Sequence, residues 1–219
     1  GTYLSLFLLP WQESTNSWGN YIVPLDIPLP VMKGFATWSS SVWPPMGDTL
    51  VWFGGHMNFG EHSIELTNSG YSGDPSRDGW NLVGNPYTTS VHWDSSGWDK
   101  SDIEGAMYLW DPMTQSYLTY LGNGIGVPMG TSGEIPQGQG FFVKAKPSGG
   151  SLRVGEGSRK LPGANLYKSG TPKGAMDNML YVNVIGSGHQ DQALLRFTPA
   201  ASEGFDSNLD AYKLFSTAT

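Results

Sequence analysis

The chain has no cysteine, so disulfides, thiolate zinc sites and a cysteine nucleophile are all excluded. It is also short of basic residues, with 12 Lys and Arg against 19 Asp and Glu and a formal net charge of −7. Such a chain repels a phosphate backbone, which excludes nucleic acid as a partner. Long apolar runs are missing as well, so we predict no membrane-spanning segment.

Turn-forming and aromatic residues are abundant instead. The 219 residues include 30 Gly, 15 Pro and 9 Trp, whereas charged residues make up only 14%. Globular domains typically carry about 25% charged residues. Glycine and proline favour turns, and the scarcity of Lys and Glu disfavours helices. This composition is typical of an extracellular all-β protein.

Apolar residues alternate with polar ones in several short segments, which is the period of half-buried strands. Phe141, Val143 and Ala145 should share one face, with Phe142 and Lys144 on the other. We predict further alternating strands at residues 63–67, 152–154 and 180–184, and apolar runs inside the fold at 49–53 and 194–197. The predicted fold is an all-β antiparallel sandwich of two sheets, of jelly-roll type.

The chain contains an internal repeat with an offset of about 100 residues. The segment from Trp11 to Tyr21, which includes Trp18, resembles the one from Trp110 to Tyr120, which includes Tyr117, and residues 27–37 resemble 135–143. Weaker matches join 49–54 to 151–155 and 66–70 to 166–170. We therefore predict two related units, residues 1–78 and 79–219, packed as one sandwich; two tandem sandwiches divided near residues 74–79 are the alternative.

Five motifs occur in a fixed order: GWNLVGNP at 79–86, VHWD at 91–94, IPQGQGFFV at 135–143, ALLRF at 193–197 and GFDSNLDAYKL at 204–214. Together they resemble the β-sandwich region that precedes the sorting domain of large type IX secretion system cargo proteins. The resemblance covers residues 79–215 well and 8–70 more loosely. It implies an extracellular or cell-surface location and neighbouring domains in the same chain, with the natural protein extending beyond Gly1 and Thr219. It implies no activity.

Tryptophans among Ser, Asp and Gly suggest a ligand site, because flat exposed rings stack on the apolar faces of sugars. The predicted glycan-binding residues are Trp93, Asp94, Trp98, Asp99, Trp38 and Trp43. The alternative is that these tryptophans fill the rim of the sandwich. Trp80 and Trp110 lie in apolar strands, so we expect both in the core.

Oxygen-bearing side chains cluster once more near the carboxyl end, where Asp206, Asn208 and Asp210 alternate along the chain. They could offer ligands to a structural calcium ion. The alternative is that the carboxylates cap turns or pair with Arg196 or Lys213. We predict no other cofactor.

Three function classes remain open. The first is a non-catalytic module for adhesion or carbohydrate binding, which requires exposed Trp93 or Trp98 and takes a polysaccharide or surface glycan as partner. The second is a structural spacer beside a sorting domain, which predicts buried or scattered tryptophans. The third is a glycan-active hydrolase, which requires two carboxylates across a cleft, drawn from Asp94, Asp99, Asp102 and Glu104.

Overall fold

A computed structural model describes residues 6–22, 28–39, 54–160, 178–186 and 189–214. Their strands are β1 (Leu6–Gln12), β2 (Ser17–Trp18), β3 (Phe35–Ser39), β4 (His62–Leu66), β5 (Trp80–Gly84), β6 (Ser90–His92), β7 (Trp98–Asp99), β8 (Ile103–Asp111), β9 (Ser116–Gly122), β10 (Ile125–Val127), β11 (Glu134–Ile135), β12 (Gly140–Ala145), β13 (Gly150–Val154), β14 (Arg159–Lys160), β15 (Met179–Gly186) and β16 (His189–Arg196). Two 3-10 turns, Glu13–Thr15 and Glu156–Ser158, are the only helical elements in these ranges.

The centre of the fold is a five-stranded sheet in the order β10-β9-β8-β12-β5, with antiparallel neighbours throughout. Two three-stranded sheets, β11-β6-β14 and β4-β13-β7, contribute to the core on its inner face. Val83, Met107 and Phe141 of the large sheet share that core with Val91 and Leu152 of the smaller ones. The predicted all-β antiparallel sandwich is confirmed.

Strand β12 shows how the sequence period sets the two faces. Phe141, Val143 and Ala145 belong to the inner core, as predicted, whereas Phe142 belongs to a second apolar cluster on the outer face. Lys144 follows Phe142 onto the outer face and is 1% exposed. Successive side chains point to opposite faces, so one strand serves both clusters.

The repeat seen in the sequence has a structural counterpart in strand register. Leu9 pairs with Ala36 across β1 and β3, and the equivalent Tyr108 pairs with Phe142 across β8 and β12. The turn before β3 recurs as well: Lys33 N donates to Pro30 O at 3.1 Å, and Gln139 N donates to Pro136 O at 3.2 Å.

Both turns have their third residue in the left-handed region, Met32 with φ 62° and Gly138 with φ 69°. This is the geometry of a type II turn, which favours Gly at that position. The segments predicted to repeat at 49–54 and 166–170 lie wholly or mainly outside the described residues, and the division at residue 78 stays a prediction.

The hairpin of β15 and β16 corrects one expectation. The alternation is present, but the aliphatic face points to solvent, with Leu180 49%, Val184 66% and Leu195 52% exposed. The opposite face makes the contacts to the body, where Tyr181 Oη donates to Gly126 O at 3.5 Å and Gln192 Oε1 accepts from Met129 N at 2.6 Å. The prediction that residues 194–197 lie inside the sandwich is therefore wrong for Leu195 and Phe197.

Candidate functional site

Trp93 and Trp98 are core residues, so the expectation that their rings are exposed is wrong. Trp93 is 0% and Trp98 8% exposed, and their ring centroids lie 5.0 Å apart. Each indole N–H is satisfied by a backbone carbonyl: Trp93 Nε1 donates to Gly105 O at 3.1 Å, and Trp98 Nε1 donates to His92 O at 2.9 Å. The polar residues between them form a turn, and both rings point back into the core.

Asp94 and Asp99 are engaged in structural contacts rather than free for a ligand. Asp94 accepts hydrogen bonds from Tyr120 Oη at 2.6 Å and from Asn123 N at 3.0 Å. Burial, followed by the bond to Asp94, raises the pKa of Tyr120 to about 12. Asp99 accepts from Ser101 N at 3.1 Å and pairs with Arg153 at 2.5 Å. These contacts hold turns in place.

The two remaining predicted ligand residues cannot be assessed. The backbone of Trp38 lies in β3, paired with Phe7, but its side chain is outside what the structure describes. Trp43 is outside the described residues altogether.

The predicted calcium ligands form a capped turn. Asp206 Oδ1 accepts from Asn208 N at 2.9 Å, and Asp210 Oδ2 accepts from Asp206 N at 2.8 Å. Within the described ranges, no group of three or more His, Cys, Asp or Glu side chains could hold a metal ion. The geometry matches the turn-capping alternative, and calcium binding at these residues stays a prediction.

The carboxylates considered for hydrolysis face different partners. Asp102 Oδ2 accepts from Ser151 N at 2.9 Å, and Glu104 Oε1 lies 3.7 Å from Lys144 Nζ. A cavity of about 460 Å³ lies elsewhere, beside Arg196 and Phe197, and no carboxylate lines it. None of the four candidate carboxylates, Asp94, Asp99, Asp102 and Glu104, lines this cavity.

Exposed aromatic residues appear on the outer face of the five-stranded sheet. Five rings form a continuous series that we call the aromatic row: Trp18, Trp11, Phe142, Tyr117 and Trp110. Consecutive centroids are 5.2 Å apart for Trp18 and Trp11, 5.3 Å for Trp11 and Phe142, 6.0 Å for Phe142 and Tyr117, and 5.1 Å for Tyr117 and Trp110. Trp18 is 40% and Trp110 37% exposed, so the row ends in two solvent-facing indoles.

The inner members of the row anchor it to the fold. Trp11 Nε1 donates to Trp80 O at 2.8 Å, which fixes the first hairpin against β5. Trp11 packs edge-on against Phe142, which is 6% exposed. Farther along the same face, Tyr212 of the carboxyl-terminal segment packs against Trp80 and below Lys144. Phe142 is therefore buried in the middle of the row, and Trp18 and Trp110 remain partly exposed at its ends.

The ends of the row belong to two equivalent hairpins. Trp11 pairs with Trp18 across β1 and β2, and Trp110 pairs with Tyr117 across β8 and β9. Each hairpin loop contains one non-glycine residue in the left-handed region, Asn16 with φ 48° in the first. Gln115 occupies the same position in the second hairpin, with φ 52°.

The hydroxyl groups beside these rings also match. Thr15 Oγ1 and Ser17 Oγ are hydrogen bonded at 2.8 Å, and Thr114 Oγ1 and Ser116 Oγ at 2.9 Å. Thr114 Oγ1 donates to Asp111 Oδ2 at 2.8 Å, where the first hairpin has Gln12. Each exposed indole therefore lies in a hairpin that carries a pair of exposed hydroxyls.

Sequence reasoning missed this surface. Trp110 was expected in the core because it lies in an apolar strand, and Trp18 was not singled out. The internal repeat could have identified them. It aligns Trp11 with Trp110 and Trp18 with Tyr117, and in each segment the two aromatic residues are seven positions apart, a spacing that fits two paired residues of a short hairpin.

A family model matches residues 5–219, which is almost the whole chain. The chain belongs to the family described as Domain of unknown function (DUF8693). No curated protein and no solved structure matches this DUF8693 chain. In the part of this DUF8693 domain that the structure describes, no helix has the length and apolar character needed to cross a membrane.

Proposed function

We propose that this chain is a non-catalytic, carbohydrate-binding module of a secreted or cell-surface protein, and that the aromatic row is its binding surface. The observation that carries the proposal is the exposure of Trp18 and Trp110 at the two ends of a row of packed rings. A group of neighbouring, partly exposed aromatic rings, unlike a single exposed side chain, is the kind of surface patch that marks a binding site.

The chemistry of the surface suits a sugar. Aromatic faces stack on the apolar C–H faces of pyranose rings, and nearby hydroxyl, amide and carboxylate groups hydrogen bond to sugar hydroxyls. Thr15, Ser17, Thr114, Ser116 and Asp111 supply such groups next to the row. This surface replaces the one predicted around Trp93 and Trp98, whose rings are buried.

Three further observations support an extracellular, non-catalytic role. The composition, with little charge, many turn-forming residues and many aromatic residues, suits an extracellular sandwich. The resemblance to the region before type IX sorting domains points to the same location. The four carboxylates from which a hydrolase would draw its catalytic pair are each engaged in a separate structural contact.

The test is a glycan-array screen, followed by affinity electrophoresis in gels that contain the neutral polysaccharides bound on the array. We expect the wild-type chain to be retarded and Trp18→Ala and Trp110→Ala to lose retardation. Tyr71→Ala is the matched control, because Tyr71 is 64% exposed but lies outside the row. Equal retardation of all four proteins would place the binding elsewhere, and no binding to any glycan would refute the proposal.

A second candidate is a structural spacer that positions neighbouring domains. Burial of Trp93 and Trp98 is the outcome that this alternative predicts. The exposed aliphatic face of the β15–β16 hairpin, with Leu180, Val184 and Leu195, is a further feature that suits packing against another domain. A chain with no glycan affinity in the screen above would favour the spacer.

A further inference from the structure

Strand β12 has a neighbour on each side, whereas the equivalent strand of the first unit, β3, has only one among the described residues. Strands β5 and β8 flank β12, and β1 alone pairs with β3. In the register given above, β1 corresponds to β8 and β3 corresponds to β12. In the described part of the chain, the first unit therefore has no counterpart of β5.

Backbone hydrogen bonds show which edge of β3 is left. Leu8 N donates to Ile22 O, and Leu8 O accepts from Ile22 N, so the polar groups of Leu8 point to the β2 side of β1. Backbone groups alternate between the two edges of a strand, so those of Leu9 point towards β3, where Leu9 pairs with Ala36. The N–H and C=O of the next residue, Thr37, therefore point to the opposite edge of β3.

In the second unit, the same edge carries a strand. Thr37 occupies the position of Val143, which pairs with a residue of β5. Two residues on, Ser39 occupies the position of Ala145, whose N–H donates to Gly79 O at 2.8 Å. The free edge of β3 thus matches, residue by residue, the edge of β12 that is bound by β5 and by the bend before it.

This edge of β3 lacks the features that keep exposed strands from pairing. Charged side chains, proline and bulges commonly protect edge strands. Strand β10, at one edge of the five-stranded sheet, has a bulge in its ladder and is followed by Pro128. The sequence of β3, Phe-Ala-Thr-Trp-Ser, contains no charge and no proline. The second unit limits the edge at Phe35, whose carbonyl oxygen would lie 3.9 Å from a Cβ at Gly140, and the edge is open from the exposed Thr37 onwards.

We propose that the edge of β3 at Thr37 and Ser39 accepts an additional antiparallel strand, which has the sequence pattern of β5 and belongs to another repeat unit of the same kind. Strand addition takes its affinity from main-chain hydrogen bonds and its specificity from alternate side chains. Residues 79–86, GWNLVGNP, carry no charge, so the net charge of −7 does not repel such a segment, whereas two copies of the whole chain repel each other. The inference is independent of carbohydrate binding, because the aromatic row contains no residue of β3.

The test is titration of a fluorescently labelled synthetic peptide of residues 79–87 with the whole chain, followed by fluorescence anisotropy and by hydrogen exchange of the chain. We expect saturable binding, with exchange of the Thr37 and Ser39 amides about tenfold slower in the complex. A peptide with Asn81→Pro should not bind, because proline removes a ladder donor from the edge by which β5 pairs with β12.

A substitution in the chain tests the same hydrogen bonds from the other side. Thr37→Pro should abolish binding of the unmodified peptide, because it removes the N–H that points to the proposed site. The variant should still fold, since this N–H does not face β1 and proline is tolerated on the free side of an edge strand. Thr37→Val is the matched control, which keeps the N–H and should bind like the wild type. Circular dichroism and thermal unfolding check both variants, and the Asn81→Pro peptide tests the ladder with the wild-type chain if Thr37→Pro does not fold.

Four results would overturn the inference. The first is the absence of saturable peptide binding, and the second is binding that Thr37→Pro leaves unchanged, which would place the peptide elsewhere. The third is slow exchange of the Thr37 and Ser39 amides in the free monomeric chain, since the edge would then already be paired. The fourth is a concentration-dependent dimer in sedimentation velocity that protects these two amides, since the occupant would then be a second copy of the chain.

Discussion

Replacing the buried Lys144 by Met should destabilise the fold strongly, and more so at neutral than at acidic pH. Lys144 is 1% exposed on β12, and its Nζ donates to Asp78 O at 2.7 Å. Glu104 Oε1 lies 3.7 Å away on β8, and the Tyr212 ring centroid 5.1 Å away. The ammonium group thus links β12 to the bend before β5, to β8 and to the carboxyl-terminal segment.

Methionine keeps the unbranched stem and removes only the charge and the donor. Three contributions are lost: a charge-assisted hydrogen bond, a cation–π contact and the counter-ion of Glu104. The Glu104 side chain is 15% exposed, and its Oε2 has no hydrogen-bond partner within the described ranges. Breaking a buried pair on one side costs about 3–5 kcal/mol. With Glu104 partly solvated we expect about 3 kcal/mol, or a fall in Tm of about 6–12 °C.

The pH dependence follows from Glu104. Burial already raises the pKa of Glu104, and Lys144 opposes that rise. Removing the lysine must raise this pKa further, above the value in the unfolded chain. A carboxyl group with a raised pKa in the folded state destabilises above that pKa, and the penalty shrinks as pH falls through it. The loss should therefore be complete at pH 8 and smaller at pH 5.

The measurement is urea unfolding followed by tryptophan fluorescence at both pH values, for wild type, Lys144→Met and the double variant Lys144→Met with Glu104→Gln. The double variant removes the uncompensated charge, so it should recover most of the loss and show little pH dependence. A loss below 1 kcal/mol, an equal loss at both pH values, or a double variant as unstable as the single one would refute the reasoning.

Two further substitutions test how the first repeat unit is joined to the second. Glu13 is 7% exposed and accepts a hydrogen bond from Gly79 N at 3.0 Å, so Glu13→Ala should cost about 2 kcal/mol in chemical unfolding. A Cβ at Gly34 would lie 2.6 Å from Val83 O, so Gly34→Ala should cost about 2–3 kcal/mol. Gly84→Ala is the matched control, since its Cβ would have no neighbour closer than 3.5 Å. If Gly34→Ala and Gly84→Ala were equally stable, the contact between Gly34 and the Val83 backbone would not be tight.

The sequence alone predicted side-chain positions correctly where the two faces of one strand carry different residues. The period of two in residues 141–145 predicts that Phe141 and Val143 oppose Phe142, because a strand has no other way to place them. The repeat was also visible, since matching residues at turns and strand starts keep the same register in both units. Strand existence and fold class depend on such local patterns, which is why they could be predicted.

The direction of a side chain next to a turn could not be predicted in the same way. Ser and Asp around Trp93 and Trp98 mark where the backbone turns, but the rings flank the turn and point inward. Their indole N–H groups find carbonyls at Gly105 and His92, so burial leaves no donor unsatisfied. A polar neighbourhood along the chain therefore says little about the three-dimensional neighbourhood of an indole.

The faces of the β15–β16 hairpin and of the end of β8 were missed for a related reason. The alternating sequence pattern predicts that Leu180 and Val182 share a face of the strand. Whether other residues cover that face depends on tertiary contacts, which the pattern does not contain. Tyr181, which donates to Gly126 O, and Gln192, which accepts from Met129 N, attach the other face to the residues at and after β10. Trp110 likewise lies on the outer face with Tyr108, but beyond the part that the carboxyl-terminal segment covers.

Duplication explains how the aromatic row arises. The first unit places its hairpin on the outer face of the second unit's sheet, where Trp11 hydrogen bonds to Trp80 O and packs on Phe142. The second unit's own hairpin ends on the same face, because Trp110 follows Tyr108 with the strand period. Two copies of one hairpin therefore meet across Phe142 without any dedicated insertion. The packing that buries Phe142 therefore also supports both exposed indoles, Trp18 by direct contact and Trp110 through Tyr117.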